Sequence, residues 1–141
     1  LCDGLCVIEE EAFNGCESLN RVIIPSTVHD IEDGAFWACV SLKEVQLYEG
    51  LHAIIFEGTF GECMTLMHIN IPSTVRFIDS EAFVNCSLLR NVAISPSSTL
   101  GDEDFLQSFR TFQDIDCTLI CSRAGLMICP SISSVLITLI S

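Results

Sequence analysis

Basic residues are scarce in this chain. Its 141 residues hold six Lys plus Arg against 19 Asp plus Glu, a formal charge of −13. Such a chain repels a phosphate backbone or an anionic leaflet rather than neutralising it, so nucleic acid is not an expected partner. Charge of either sign is thin, at 18% of residues against 50% hydrophobic, and intrinsic disorder requires the reverse balance. Catalytic and ligand-binding motifs are missing as well. There is no phosphate-binding Gly-rich loop, no His-Glu-x-x-His and no EF-hand loop. The serines fall in turn-like segments or the tail and the histidines lack a recurring Ser or Cys neighbour, so no nucleophile–base–orienter set forms. No enzyme activity and no cofactor are expected.

No basic n-region precedes an apolar stretch at Leu1, so neither a secretory signal nor a transit peptide is expected, and the chain reads as an internal piece of something longer. Residues 124–141 carry no charge, but they hold Pro130 with Ser131, Ser133 and Ser134 and only just reach spanning length. A membrane helix is not expected there, and any membrane attachment would have to use this segment.

What is present is a repeat. Phe13, Phe36, Phe60, Phe83 and Phe105 recur at spacings of 23, 24, 23 and 22, a period that signals a stacked architecture. Cys16, Cys39, Cys63 and Cys86 follow the first four Phe residues by three positions. Further columns keep step: Leu19, Leu42, Leu66 and Leu89; Val22, Val45, Ile69 and Val92; Ile24, Leu47, Ile71 and Ile94. Upstream lie Leu5, Val28, Leu51 and Val75, then Ile8, Ile31, Ile54 and Ile78. The pentapeptide Ile24-Pro25-Ser26-Thr27-Val28 recurs letter for letter at 71–75.

Within a unit, Leu-x-x-Val-x-Ile shifts to a period of two, the pattern of a short strand with one buried face. Pro25 or Pro72 ends it by withholding an N–H, and Ser-Thr supplies the turn. The Glu-Ala-Phe and Gly-Ala-Phe segments are too short for an amphipathic helix and predict a helical or 3₁₀ turn that carries Phe inward. One strand per unit of about 23 residues cannot bury its apolar side alone, so units stack and their strands pair in parallel. The expected fold is a repeat solenoid, a coil with a parallel sheet on one face and short helical or 3₁₀ turns on the other. Residues 1–116 make the solenoid, with four clear repeats in 5–94 and a degenerate fifth around 95–116; residues 117–141 are a non-repeat hydrophobic tail that can drive self-association unless it folds back as a cap.

These columns resemble the BspA-like leucine-rich repeats, whose unit reads approximately Ala-Phe-x-x-Cys-x-x-Leu-x-x-Val-x-Ile-Pro-x-x-Val-x-x-Ile. The resemblance covers residues 5–94 and implies a right-handed leucine-rich-repeat solenoid used for protein recognition or surface adhesion. Thr59 departs from it where Ala is usual, as does one residue inserted between Ile54 and Phe60.

Nine cysteines could form a disulfide framework, a metal site or core packing. Cys16, Cys39, Cys63 and Cys86 lie one per coil with side chains projecting in parallel, which opposes the turned geometry of a disulfide, so they are expected as buried thiols. Cys117, Cys121 and Cys129 match neither a redox pair nor a zinc site, while Cys2 and Cys6 lie at an exposed end. His29 and His52 share a column between Cys6 and Arg76, which supplies no third metal ligand, and His68 falls on another face. Acids such as Glu10-Glu11, Glu32-Asp33 and 102–104 precede each Phe and form a solvated back.

The expected function is a non-enzymatic protein-binding or adhesion module that meets a protein partner through its strand-lined face. Strand alternation points Arg21 and Ile23, Glu44 and Gln46, His68 and Asn70, and Asn91 and Ala93 outward, with Tyr48 at a strand end. Arg21 and Tyr48 are of the types most often found as hot spots. Two alternatives are a structural spacer in a longer repeat array and a surface module anchored in a membrane by residues 124–141.

Overall fold

A computed structural model describes residues 4–51, 54–55, 57–79, 81–94 and 118–121. The chain coils, and each of the first four coils contributes a front strand and a shorter second strand. The front strands are β2 (Arg21–Ile23), β4 (Glu44–Gln46), β6 (His68–Ile71), β8 (Asn91–Ile94) and β9 (Thr118–Cys121), paired in that order. The second sheet takes β1 (Val7–Ile8), β3 (Asp30–Ile31), β5 (Ile54–Ile55) and β7 (Phe77–Ile78). All pairings are parallel. The expectation of one strand per unit is therefore corrected to two. The second strand is only two residues long, and two residues cannot display a periodicity.

The register also corrects one column. Ile31 pairs with Ile55, and Ile55 with Ile78, so Ile55 rather than Ile54 is equivalent to Ile8, Ile31 and Ile78. The extra residue accordingly falls between Leu51 and Ile55, upstream of the position expected from the sequence. At the other end, β9 pairs residue for residue with β8, from Asn91↔Thr118 to Ile94↔Cys121. The front sheet thus continues past the boundary drawn at 117.

The Phe segment is a turn, and none of the described residues is helical. Its amides alternate in purpose. Glu11, Phe13 and Gly15 donate to the carbonyls of Asp33, Ala35 and Trp37 in the next coil at 2.8–3.0 Å, while Ala12 and Asn14 close back on Glu9 and Glu11. The next coil repeats the pattern, with Gly34, Phe36 and Ala38 donating to Glu57, Thr59 and Gly61. To aim alternate amides outward, the backbone enters the left-handed region on both sides of the Phe. Glu11, Gly34 and Gly58 before it, and Gly15, Ala38, Glu62 and Asn85 after it, have φ between +54° and +68°. A helix cannot contain such residues, because its backbone needs consecutive right-handed angles. Bonding between coils therefore overrides the local helical preference of Glu-Ala-Phe.

The core lies between the sheets and this turn. Phe36, Phe60 and Phe83 are buried and stack face to face, with Phe13 on the end, at centroid distances of 5.0, 5.4 and 5.6 Å and interplanar angles of 7° or less. Val22 and Val45, Ile24 and Leu47, Val28 and Leu51, Ile8 and Ile31, and Leu42 and Leu66 are buried beside them. Thr59, standing in the Ala column, is buried too. Leu5, Phe13, Cys16 and Leu19 of the first coil pack on the core but stay partly exposed.

Candidate recognition face

Alternation along the front strands buries Val22, Val45, Ile69 and Val92 and turns their neighbours outward. Two outward columns result. The first aligns Arg21, Glu44, His68 and Asn91, and the second runs through Ile23 and Gln46, then Asn70 and Ala93. Arg21, Ile23, His68, Asn70 and Tyr48 are exposed, whereas Glu44, Gln46 and Ala93 are half-buried. Asn91 is placed by its backbone pairing alone.

The two ends of this face differ. In the first two coils, Arg21 Nη2 meets Glu44 Oε1 at 3.2 Å and donates to Gln46 Oε1 at 3.4 Å, and Gln46 Nε2 donates to the Tyr48 hydroxyl at 2.6 Å. Arg21 and Tyr48 are thus already joined through Gln46. Further along, no described residue bonds the side chains of His68 or Asn70. The turn below the strands is pinned by Glu49, whose carboxylate accepts the Ser73 amide at 3.1 Å and the Ser73 hydroxyl at 2.8 Å. Those bonds to Ser73, helped by Thr74, hold its pKa below the usual carboxylate value.

Behind this face runs a ladder of thiols. Cys39, Cys63 and Cys86 are free, buried and directed at the preceding coil, where their Sγ atoms donate to the carbonyls of Phe13, Phe36 and Phe60 at 3.2, 3.3 and 3.0 Å. Cysteine suits the column because it is small and apolar yet carries one weak donor. Burial pushes the Cys39 thiol up to about 11, with Cys16 beside it adding to the rise, and the Cys86 thiol up to about 12. Cys63 is raised further by burial and by the thiols on either side. A protonated, covered thiol is a poor nucleophile, so the ladder serves packing. Among the described residues no group of three His, Cys, Asp or Glu side chains could hold a metal. Cys6 is exposed, while Cys2, His52, Phe105, Cys117, Cys129 and the tail from 122 onward lie outside the described residues. No helix among the described residues is long and apolar enough to cross a membrane.

Residues 2–117 match the model of the BspA-type leucine-rich repeat region, in six copies. This chain belongs to the BspA-type leucine-rich repeat family. Its backbone resembles a leucine-rich cell surface protein of Faecalibacterium prausnitzii with a TM-score of 0.71 and 27% identity, over 95% of this chain and 34% of that one. A leucine-rich repeat protein of Bacteroides ovatus shares the fold, with a TM-score of 0.51 and 22% identity over 83% of this chain and 37% of that one. The chain spans about a third of the length of either solved relative. No curated protein matches it.

One edge of this leucine-rich repeat face lies outside the residues that strand alternation points outward. Where the front strands begin, Lys43, Met67 and Arg90 hold equivalent positions, and Met64 and Leu88 stand exposed beside them. The signal was available. The segments 40–43, 64–67 and 87–90 contain no carboxylate, although the chain holds 19, but they sit between the periodic columns and so carry no alternation of their own.

Proposed function

We propose that this leucine-rich repeat module is a non-enzymatic protein-binding unit that receives its partner on the front sheet. The observation that carries this reading is the contrast between faces. The front presents Ile23 and Tyr48 at 40% and 43% exposure among Arg, His and amide groups, and its one described acid, Glu44, is already paired with Arg21. The Phe side, in contrast, lines up exposed Glu9, Glu10, Glu11, Glu32, Asp33, Glu57 and Glu81. A mixed aromatic, amide and arginine patch suits a protein surface, whereas a solvated acidic wall favours solubility. The likeness to a cell surface protein supports a setting in which such a face meets an external protein.

Because Arg21, Glu44, Gln46 and Tyr48 form one network, they present a fixed pattern whose side-chain freedom is already spent, which lowers the ordering cost of binding. A photo-crosslinker at Ile23 or Asn70 should capture the partner, and one at Glu57 on the acidic side should not. With that partner purified, Tyr48→Ala and Arg21→Ala should each weaken binding by about 1–2 kcal/mol without lowering the melting temperature. Equal weakening by Glu10→Ala and Glu57→Ala would place recognition elsewhere. Indifference to all four would leave the module a spacer.

A further inference from the structure

The described cations are distributed unevenly. Arg21 is neutralised by Glu44, and Arg76 lies beyond the front strands in the turn before β7. Lys43 and Arg90 instead share one corner with Met67. The Lys43 amide donates to the carbonyl of Asn20, its equivalent one coil earlier, and Arg90 does the same to Met67; the pairing of Glu44 with His68 aligns Lys43 with Met67, so successive coils stack Lys43, Met67 and Arg90 in a single row. All three side chains are exposed. No described carboxylate pairs with either cation. Beside the row Met64 and Leu88 are 45% and 41% exposed, and Met67 is 45% exposed. Ser87, hydrogen-bonded to the Met64 carbonyl, sets Met64 and Leu88 in adjoining coils.

Exposed apolar side chains flanked by uncompensated cations, on a chain of charge −13, call for a ligand with the opposite charge and its own apolar groups. Methionine adapts its shape to such a ligand because it is unbranched and polarisable. Electrostatic complementarity then sets the register of the encounter. We infer that this corner docks an acidic, amphipathic segment of the protein partner, with Met64, Met67 and Leu88 covering its apolar side chains and Lys43 and Arg90 meeting its carboxylates. This rests on the front-sheet reading and names the chemistry of the partner there. A polyanionic nucleic acid would meet the same two cations, but it would leave Met64, Met67 and Leu88 uncovered, and these corner residues include no aromatic side chain for bases to stack on.

The test titrates the isotopically labelled chain with a synthetic peptide of repeated Glu-Glu-Leu, its Lys-Lys-Leu and Gln-Gln-Leu counterparts, and oligo-dT, following amide resonances. The acidic peptide should move the signals of 40–43, 64–67 and 87–90, and added salt should weaken it. Lys43→Glu with Arg90→Glu should weaken it about tenfold, since two attractions become repulsions. Met67→Ser should weaken it as well, and both variants should melt as the parent does because the side chains are exposed. Equal binding of the Gln or Lys peptide, displacement by oligo-dT, or no shift at this corner would overturn the inference. Acidic-peptide binding that survives the double reversal and moves Ile23, Gln46 and Asn70 would overturn it while leaving the front-sheet reading standing. Loss of cross-linking at Ile23 and Asn70 would instead remove that reading.

Discussion

Replacing Phe60 by Ala removes a ring that is fully buried and stacked between Phe36 at 5.4 Å and Phe83 at 5.6 Å. Truncating a buried Phe costs about 3–5 kcal/mol through lost transfer energy and the cavity left behind. Each aromatic stack accounts for roughly 0.5–1.5 kcal/mol beyond area alone. Phe60→Leu keeps most of the buried surface and loses both stacks, so about 1–3 kcal/mol is expected from it. Phe13 stacks on Phe36 and is only partly buried, so Phe13→Ala should cost about half as much as Phe60→Ala. Against a total stability of about 5–15 kcal/mol, Phe60→Ala is severe, with a melting shift of about 10–20 °C. Because each coil touches only its neighbours, a defect in the third coil should also uncouple the two sides and broaden the transition. Urea and thermal unfolding of the three variants, followed by circular dichroism, would measure this. Equal costs for Phe13→Ala and Phe60→Ala, or an unshifted melt for Phe60→Ala, would refute the ladder as the source of stability.

Brief exposure to a thiol reagent should label Cys6 quickly and Cys39, Cys63 and Cys86 slowly, because the last three are covered and held protonated; prompt labelling of Cys63 in folded protein would contradict the thiol ladder. The same shifts make stability depend on alkaline pH. The folded state binds these protons more tightly than the unfolded chain, so stability is complete below the ordinary thiol value of 9.0 and declines as pH rises through about 11 for Cys39 and about 12 for Cys86. Melting temperatures across that window should show a shallower decline in Cys86→Ala. Finally, the Trp37 indole lies over two glycines of the next coil, where a Cβ at Gly58 would come within 2.7 Å of Trp37 Cε3 and one at Gly61 closer still. Gly61→Val should therefore cost about 1–3 kcal/mol by overpacking, and Trp37→Ala should recover part of it in a double-mutant cycle. Additive losses would mean that the indole and Gly61 do not meet.

The mixture of Glu, Ala and Asn with Gly at left-handed positions shows what holds the Phe turn. Ala38 and Glu62 gain nothing from φ of +55° and +59° by their own preference, and a non-glycine residue there costs about 1–2 kcal/mol. Their amides donate to Gly61 and Val84 of the next coil at 2.9 and 2.8 Å. Stacking therefore imposes the conformation, and a single isolated unit would have no reason to adopt it.

The amino-acid sequence by itself determined the solenoid, its repeat length and most of its interior. Phe36, Cys39, Leu42, Val45 and Leu47 recur at constant spacing because each coil must bury the same surface against the next, and constant spacing is visible in letters. It also determined which front residues point outward, since Val22 and Val45 are buried and side chains alternate along a strand. Tertiary structure alone decided the rest. The pairing of Ile31 with Ile55 moved the inserted residue, because register is settled by hydrogen bonds between coils and not by an isoleucine run that reads equally well either way. The two-residue second strands and the left-handed Phe turn exist only once a neighbouring coil supplies their partners. Likewise Arg21 and Tyr48, hot-spot types in the sequence, are linked through Gln46, and Lys43, Met67 and Arg90, separated by more than 20 residues of chain from one to the next, become one row only because the coils stack.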